Sequence, residues 1–484
     1  MNGPLAAHPW MPRRPVPAVP VRRRARSWTP AQYLIGIISL QFACQLGLLL
    51  FGDTALRFFF RSAVYGLSLL LLLLIRPARH KHPATPIALG ILAIVALGLL
   101  NPDTPGIIPA LGTLALYLAV LAPLWWASAL VTDSHGFRSV VFTIWLYQSI
   151  SALFGVLQVM FPGSFEFQIS AVIQEQGAAY LSGLQVTLPS GERIFRPMGL
   201  TDTPGGAAPA GLISFILGMG LLITTRNLWM FSFAVISMIN ALFCIYLSHV
   251  RSVLVMAAIC VIAQLVVLLI RGGRGGQLVR AAAAAGVVFF LGTIWAFAAG
   301  GEQTVARVNT LFAEDPTTVY MRNRGNFLLH TIYVLIPEFP LGAGLGRWGM
   351  VQNYLGRFGD GAPPLWAELQ LTGWVYDGGV PLAVVYGLAI LVACWWTFVR
   401  AIDKKLGDLS DWAAVLFGYN VGALAVTFNY PLFAGQGGLE FWMLNAVLFA
   451  AVDAVKRRLP APQARVALPA KPRRMIAVPR PQAR

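Results

Sequence analysis

Charged residues and cysteines are scarce in this chain, and each scarcity excludes a class of protein. Only 11% of the 484 residues are charged while 57% are hydrophobic, which lies outside the range of soluble globular proteins. The four cysteines all lie within apolar runs and none forms a CxxC pair, so disulfides and zinc sites are not expected. We predict that Cys44, Cys244, Cys260 and Cys394 pack as small apolar side chains.

Motifs for nucleotide and metal chemistry are missing as well. The chain has no Walker A sequence, dinucleotide-binding glycine pattern, HExxH or GxSxG in a suitable context. It also lacks Asp-x-Asp, which disfavours a metal-dependent transferase that uses sugar nucleotides. We therefore expect no metal and no cofactor. The first apolar run lacks a small-residue cleavage site, so we interpret it as a membrane anchor rather than a signal peptide.

What the chain does contain is a series of long apolar runs. A bilayer core of roughly 30 Å requires about 20 apolar residues in each helical crossing, and twelve runs approach this length. We predict an all-α polytopic membrane protein with about twelve transmembrane helices. The predicted helices cover residues 31–51, 55–75, 84–100, 107–131, 139–162, 207–224, 228–247, 253–270, 281–300, 379–399, 412–431 and 436–454.

The distribution of charge predicts how these helices are oriented. With the N-terminus in the cytoplasm, the cytoplasmic segments contain 26 of the 36 Lys and Arg residues, and 14 of the 19 acidic residues lie elsewhere. This bias agrees with the positive-inside rule. It also explains the net charge of +17, so no nucleic-acid partner is expected. We predict that both termini are cytoplasmic and that the polar working surface faces the other side.

Composition divides the chain into three regions. Residues 1–30 and 455–484 are basic and rich in Pro, and we predict that both are disordered. Residues 31–454 form the transmembrane domain. Two long outward loops, 163–206 and 301–378, interrupt this domain, and long loops in compact proteins are usually functional. The second loop, between the ninth and tenth helices, is predicted to be helical and to lie on the membrane surface.

Arginines near the ends of the apolar runs are candidate anion ligands. Arg251 follows Ser248-His-Val250 at the outer end of the seventh run, and Arg193 and Arg196 precede a turn rich in Gly and Pro. The planar guanidinium suits a diphosphate or an anionic lipid headgroup. The alternative interpretation is that Arg251 merely extends to the lipid headgroups and that the other two are ordinary loop charges.

The second loop carries a further group of basic residues. Arg322 and Arg324 open a helix predicted over Val319–Ile336, and His330 lies further along it. For His330 we prefer packing on the apolar helix to a catalytic role, and we keep it as a candidate substrate-binding residue with the two arginines. A glycine-rich turn, Leu341–Gly346, follows.

Glu368 is the candidate general base of the second loop. A helix is predicted over Leu365–Asp377, with Glu368, Thr372 and Val375 on one face. A carboxylate among apolar neighbours suits proton abstraction from a hydroxyl. Trp366 can stack on a sugar ring or anchor the segment at the membrane interface. Taken alone, Glu368 would be interpreted as structural.

Four stretches, in order, resemble motifs of the O-antigen polymerase and ligase family of bacterial polysaccharide assembly. They are Arg196-Pro-Met-Gly199, Tyr246-Leu-Ser-His-Val-Arg251, Arg322 through Pro340-Leu-Gly-Ala-Gly-Leu-Gly346, and Glu368 to Gly379. These are similar to the family's Arg-x-x-Gly loop, Leu-Ser-x-Ser-Arg segment, Arg-rich helix with a Pro-Leu-x-Gly-x-Gly turn, and His-Asn-x-x-Leu-x-x-Leu-x-Glu-x-Gly segment. The resemblance covers roughly residues 190–400.

This chain departs from the family pattern at the predicted base. Glu368 stands where the family has histidine, and Leu369 where it has asparagine. Because a carboxylate can also activate an acceptor hydroxyl, the resemblance still implies glycosyl transfer. The departure favours a polymerase over an O-antigen ligase.

The resemblance implies a metal-independent, inverting glycosyltransferase in the bacterial cytoplasmic membrane, with its active site facing the periplasm. It would transfer a growing glycan from a polyprenyl diphosphate to another lipid-linked repeat, producing O-antigen or exopolysaccharide. The implied partners are lipid-linked oligosaccharides, membrane lipids, a flippase and a chain-length regulator. The implied catalytic residues are Glu368, Arg196 and Arg251, and the substrate-binding residues are Arg193, Arg322, Arg324, His330 and Trp366. A lipid-linked oligosaccharide transporter is the alternative from another class, although the sequence shows no internal repeat.

Overall fold

A computed structural model of the chain is almost entirely helical. It describes residues 28–50, 54–165, 178–187, 191–201, 203–272, 275–309, 315–359 and 363–458. The termini predicted to be disordered, 1–30 and 455–484, lie outside the described residues except at their inner ends. At the C-terminal end, residues 455–458 continue the last helix, so the predicted start of the tail is four residues too early.

The helices and strands are named here in chain order. The long helices are Pro30–Leu50 (α1), Thr54–Leu74 (α2), Thr85–Leu97 (α3), Ile107–Leu121 (α4), Pro123–Leu130 (α5), Ser134–Met160 (α6), Ala207–Thr224 (α8), Leu228–Leu247 (α9), Arg251–Arg271 (α10), Gly275–Asn309 (α11), Gln370–Ala401 (α16), Asp408–Val426 (α17) and Gln436–Arg458 (α18). The short helices are Ala178–Gly183 (α7), Pro316–Tyr320 (α12), Asn326–His330 (α13), Ile336–Glu338 (α14) and Gly349–Leu355 (α15). Strands Gln185–Thr187 (β1) and Arg193–Phe195 (β2) form an antiparallel hairpin.

Eleven helical segments within the described residues are long and apolar enough to cross a membrane. The chain is therefore an all-α polytopic membrane protein, as the sequence predicts. The third predicted crossing is short, because α3 covers 13 residues and only a 3₁₀ turn extends it to Leu100. Large apolar side chains on the spanning helices are exposed, among them Leu73 at 83% and Trp229 at 86%, as contact with lipid requires.

Several predicted boundaries move, and the cause is local. The predicted helix 107–131 is divided at Ala122, because Pro123 opens a new helix there. The predicted helix 281–300 is longer, and α11 bends at Gly301, where φ is 61°. Capping side chains fix other starts: the Asp133 carboxylate accepts a hydrogen bond from the Gly136 amide at 2.7 Å at the start of α6.

The segment predicted as the helix Val319–Ile336 is helical over a wider range, Pro316–Glu338. Asp315 caps it by accepting from the Thr318 amide at 2.9 Å. Two π-helical stretches, Met321–Gly325 and Thr331–Leu335, interrupt the α-helical geometry. Such stretches widen a helix locally and often mark functional sites.

The glycine-rich turn Leu341–Gly346 has the geometry that its sequence predicts. Gly342, Gly344 and Gly346 have φ values of 107°, 97° and 82°, a region that other residues rarely adopt. A Cβ on Gly344 would lie 2.4 Å from the Asp103 carbonyl oxygen, so only glycine fits there.

Helix α16 is broken beside this turn. Gly378 and Gly379 have non-helical angles, and the chain resumes its helix before Pro381. Two backbone hydrogen bonds join the turn to the break: the Ala343 amide donates to the Tyr376 carbonyl at 2.8 Å, and the Val380 amide donates to the Pro340 carbonyl at 3.0 Å. The turn and the broken helix therefore form one unit.

A cluster of aromatic side chains packs below this unit. The Tyr386 ring stacks on Trp374 with 4.6 Å between centroids, and Phe433 lies 5.3 Å from Tyr386. Phe441 and Trp442 of α18 complete the cluster. All five side chains are buried, so α16, α18 and the 3₁₀ turn Leu432–Ala434 are held together beneath the second long loop. Cys244, Cys260 and Cys394 are also buried, as predicted, while Cys44 is half-buried.

Candidate functional site

Three of the predicted site residues meet in the second long loop. Arg324, in the first π-helical stretch, forms an ion pair with Glu368, 44 residues further along the chain. The Trp366 indole N–H donates to the other carboxylate oxygen of Glu368 at 2.9 Å. Both oxygens of Glu368 are thus engaged, while its side chain keeps 24% exposure. Charge-assisted contacts of this kind fix the direction of a carboxylate.

The predicted position of Glu368 on a helix is wrong. Pro363 and Pro364 keep the preceding chain extended, and α16 begins at Gln370, with Leu369 in β geometry as its N-cap. Glu368 therefore lies before the helix and does not share a helical face with Thr372 and Val375. The chain that precedes the helix, and not the helix itself, directs Glu368 towards Arg324.

Arg196 and Val250, the residue before Arg251, both lie close to Gly205. A Cβ on Gly205 would be 3.4 Å from Val250, the neighbour of Arg251, and 3.9 Å from the Arg196 side chain. Arg196 follows strand β2, and its guanidinium donates to the Gly183 carbonyl at 2.9 Å. Arg251 is the first residue of α10. The two arginines that the sequence pairs thus come from adjoining turns.

A buried glutamine, Gln158, fixes the turn that follows Arg196. Its side-chain oxygen accepts from the amides of Met198 and Gly199 at 2.8 and 2.9 Å, and its nitrogen donates to the Gly199 carbonyl at 3.0 Å. At Gly199 φ is 63°, and a Cβ would lie 2.7 Å from the Ser151 carbonyl. Gln158 lies within an apolar run, where the sequence analysis did not look for a site residue.

The turn before Arg251 contains a strained residue. His249 has φ of 54°, the one positive value among non-glycine residues in the described part of the chain. Non-glycine residues pay for this conformation and keep it where the surroundings enforce it. Ser248 is buried and donates to the Ile245 carbonyl at 2.7 Å. The strained turn sets the direction in which the chain enters α10 at Arg251.

The remaining predicted residues lie on exposed surfaces. Arg193 on β2 and Arg322 and His330 on the helical segment are exposed, and Trp366 is 53% exposed. The preferred interpretation of His330 as a packed residue is therefore wrong, because the second π-helical stretch begins at the next residue and the helix presents His330 outward.

A cavity of about 500 Å³ lies between the two long loops. Thr201 and Thr203 of the first loop line one side, and Trp348 and Met350 of the second loop line another. The rest of its wall comes from the helices and from the chain that follows α17, with polar residues Gln45, Arg61, Tyr65, Gln148, Ser151, Tyr430, Gln436 and Glu440. None of the eight predicted site residues lines this cavity.

Glu440 is the one carboxylate on the cavity wall among the described residues. It is 7% exposed, and the Gln148 side chain donates to it at 2.8 Å. Gln436, one turn earlier on the same helix, accepts from the Gln45 side chain at 2.7 Å. The described part of the chain offers Glu440 amide donors but no ion pair. A carboxylate inside a spanning helix is costly and marks a functional site by default.

Glu440 is not among the residues predicted from the sequence, because it lies inside an apolar run. A signal was available: it is the single charged residue between Gln436 and Phe449. Gln148 and Gln45 carry no such signal, since an isolated glutamine is unremarkable in a long helix. Only the packing of α1, α6 and α18 shows that the side chains of Gln45, Gln148, Gln436 and Glu440 line the same cavity.

The ion pair Arg324–Glu368 is joined to the cavity wall by short links. The Tyr320 hydroxyl donates to the Phe428 carbonyl at 3.0 Å, two residues before Tyr430 of the wall. The side chain of Gln370 accepts from the Phe433 amide at 2.7 Å, and Leu432 and Ala434 on either side of Phe433 line the cavity. Gln370, which makes this contact, is only two residues after Glu368, so Glu368 lies close along the chain to the edge of the cavity.

A second buried carboxylate, Asp377, lies at the break of α16. The Tyr117 hydroxyl donates to it at 2.8 Å, and a small pocket beside it is shared with Trp348. The hydrogen bond ties α4 to the broken helix. Asp377 thus supports the wall that carries Trp348, while Glu440 faces the cavity.

No known family model and no curated protein matches this chain. The resemblance described above consequently rests on its four short motifs. Contacts join the motifs in two pairs: Arg324 meets Glu368, and Gly205 lies close to Arg196 and Val250.

Proposed function

We propose that the protein polymerises polyprenyl-diphosphate-linked oligosaccharide repeats by inverting glycosyl transfer. The observation that carries this proposal is the convergence of both long loops on one cavity between the helices. A lipid-linked substrate needs such a position, because its carrier lies in the bilayer and its sugars lie at the surface.

In the proposed reaction the acceptor hydroxyl attacks the anomeric carbon of the donor sugar. The new glycosidic bond forms as the bond to the diphosphate breaks, and Glu368 takes the proton of the hydroxyl. The polyprenyl diphosphate leaves with the bonding electrons. Arg196 and Arg251 stabilise the charge that develops on it, and Arg324 with Trp366 keeps the base in place. Diphosphate is a good leaving group, so no general acid is required.

The cavity supplies contacts for the sugars. Glu440 and Gln148 present a carboxylate and an amide to hydroxyl groups, and Trp348 and Tyr430 offer aromatic surfaces on the wall. Polar groups of this kind, few in number and placed in a largely apolar pocket, are typical of small-molecule sites. Arg193, Arg322 and His330 would contact more distant parts of the glycan from the exposed surface.

The proposal includes the membrane arrangement. Helix α3, with its 3₁₀ extension to Leu100, would provide the twelfth crossing. Both termini would then be cytoplasmic and the loops 163–206 and 301–378 periplasmic, in a bacterial cytoplasmic membrane. A flippase that delivers the lipid-linked repeat and a chain-length regulator are the proposed protein partners.

Two alternatives make different predictions. An O-antigen ligase would use the same donor but transfer the glycan to a lipid A-core acceptor. A transporter of lipid-linked oligosaccharide is favoured by one observation, the buried carboxylate Glu440 inside a spanning helix, since transporters carry such groups along their path. A deletion strain distinguishes the three functions. Loss of polymer with single repeats retained indicates the polymerase, and accumulation of unattached polymer indicates the ligase. Repeats confined to the inner leaflet indicate the transporter.

The polymerase mechanism is tested with purified protein and lipid-linked repeats, with chain length followed over time. Glu368→Gln keeps the shape and removes the base, so the rate should fall by about 10²–10⁴-fold. Glu368→His should restore part of it, because the resemblance places histidine in that role. Glu338→Gln alters an exposed carboxylate of the same loop and should polymerise normally. Wild-type rates from Glu368→Gln would exclude Glu368 as the base.

A further inference from the structure

A second large cavity lies at the opposite end of α18 from Glu440. Its volume is about 470 Å³. Arg457, Arg458 and Asp453 line it from the last turns of α18, and Arg79 and His80 line it from the chain that follows α2. The two ends of the 23-residue helix are about 35 Å apart, so this cavity is separate from the proposed transfer site.

The cavity has more positive than negative groups. Its one carboxylate, Asp453, accepts from the Arg457 guanidinium at 2.8 Å and lies 3.9 Å from the His80 imidazole. In the described part of the chain, Arg79 and Arg458 form no ion pair with a carboxylate. Without counting His80, three guanidiniums and one carboxylate leave an excess of two positive charges around the space.

Carboxylates at the same end of the bundle neutralise other basic residues. Arg271 pairs with Asp411 at 2.6 Å, Lys456 pairs with Asp403 at 3.6 Å, and Arg138 pairs with Asp408. Around the cavity, by contrast, one carboxylate faces three guanidinium groups, so the positive charge is only partly neutralised. An anion is the ligand that completes the charge balance, and guanidinium groups bind phosphate oxygens in a bidentate manner.

The other walls indicate the class of anion. Val131, Phe449, Ala450 and Ala454 give the cavity an apolar side, and Thr132 follows the end of α5 beside them. A ligand that is anionic at one end and apolar at the other fits both sides. Basic pockets between spanning helices bind the headgroups of anionic phospholipids in this way.

We propose that this cavity binds the phosphate headgroup of an anionic phospholipid, with Arg79 and Arg458 as the principal contacts. The proposal does not depend on the reaction at the other end of the molecule. A soluble phosphate would bind the guanidiniums in the same way, but it has no apolar part to contact the apolar wall.

The test measures lipid retention by native mass spectrometry and thermal unfolding in phosphatidylcholine vesicles with and without phosphatidylglycerol. The variant is Arg79→Gln/Arg458→Gln, and the matched control is Arg138→Gln, which removes a paired arginine at the same end. Wild type and control should retain phosphatidylglycerol and unfold at a higher temperature in its presence. The double variant should bind it about tenfold or more weakly, since each basic residue near a membrane surface adds to the attraction for anionic lipids.

Two further arms separate the sources and guard against misfolding. Inorganic phosphate added to protein in phosphatidylcholine should not raise the unfolding temperature; if it does so as strongly as phosphatidylglycerol, the ligand is a soluble anion and the lipid assignment is wrong. Arg79→Lys/Arg458→Lys preserves charge and solubility but removes the bidentate geometry, and should show intermediate binding. Equal phosphatidylglycerol binding by wild type and both double variants would overturn the proposal.

Discussion

At the scale of single residues, substitutions of Arg196 and Arg251 distinguish a diphosphate-binding site from a membrane anchor. A lysine keeps the positive charge but cannot bind a diphosphate with a planar fork. We expect Arg196→Lys and Arg251→Lys each to lose most polymerisation activity while inserting at wild-type abundance, measured by chain length and by immunoblot of membranes. Full activity in both variants would mean that the residues only anchor the chain at the interface.

Glu440 permits a second prediction at this scale. Hydrogen bonds from sugar hydroxyls to a charged group are worth about 1.5–3 kcal/mol, so Glu440→Gln should lower kcat/KM for lipid-linked repeats by about tenfold to a hundredfold. The effect should fall mainly on KM, because Glu440 is proposed to bind substrate and not to transfer a proton. A kcat loss as large as that of Glu368→Gln, with KM unchanged, would contradict the assignment.

Some residues of the site could be predicted from the sequence, and others could not. Arg324, Glu368 and Trp366 were each singled out, and their contact is consistent with one site; their mutual distance was not predictable, because it depends on how 44 residues of chain return to Arg324. Glu440 and Gln148 were missed for a different reason. A single polar residue in an apolar run is recognisable only when the partner helices that face it are known.

At the scale of elements, the glycine turn and the break in α16 act together. A side chain at Gly344 would meet backbone atoms of residues 103 and 104 and require φ of 97°, and strain of this kind costs about 1–3 kcal/mol even without the clash. Gly344→Ala should therefore lower the thermal unfolding temperature. Gly387→Ala is the control, since it is helical and nothing lies near its Cβ position; it should be neutral or stabilising by about 0.5–1 kcal/mol. The same unfolding temperature for both variants would contradict this role of the turn.

The helices were predicted correctly where the length of an apolar run determines them. Their boundaries were predicted wrongly where single prolines or glycines change the direction of the chain. Most apolar runs became helices at nearly the expected positions. The helix predicted over Leu365–Asp377 instead begins at Gln370, because two prolines hold the preceding residues extended, and it continues through a glycine pair into the next crossing. Sequence propensity locates Gly378 and Gly379 as a helix end, but the continuation beyond them depends on the bonds to Pro340 and Ala343.

At the scale of the whole molecule, the orientation remains a prediction from charge. Single cysteines at Ser164 and Pro364, both exposed in the two long loops, should react with a membrane-impermeant thiol reagent in intact spheroplasts. A cysteine at the exposed Lys404 should react only after lysis. The unmodified chain provides the background, since three of its four cysteines are buried. Reaction at residue 404 alone in intact spheroplasts would reverse the topology and refute the proposed periplasmic site.

Main-chain hydrogen bonds join the segments of the second long loop to one another and to the start of the next helix. The amides of Ala343, Val380 and Leu365 bond to the carbonyls of Tyr376, Pro340 and Arg347, and these groups are present whatever side chains the positions carry. In the proposed polymerase, the glycan preference could thus change over evolutionary time through substitutions on the exposed face, while these main-chain bonds persist.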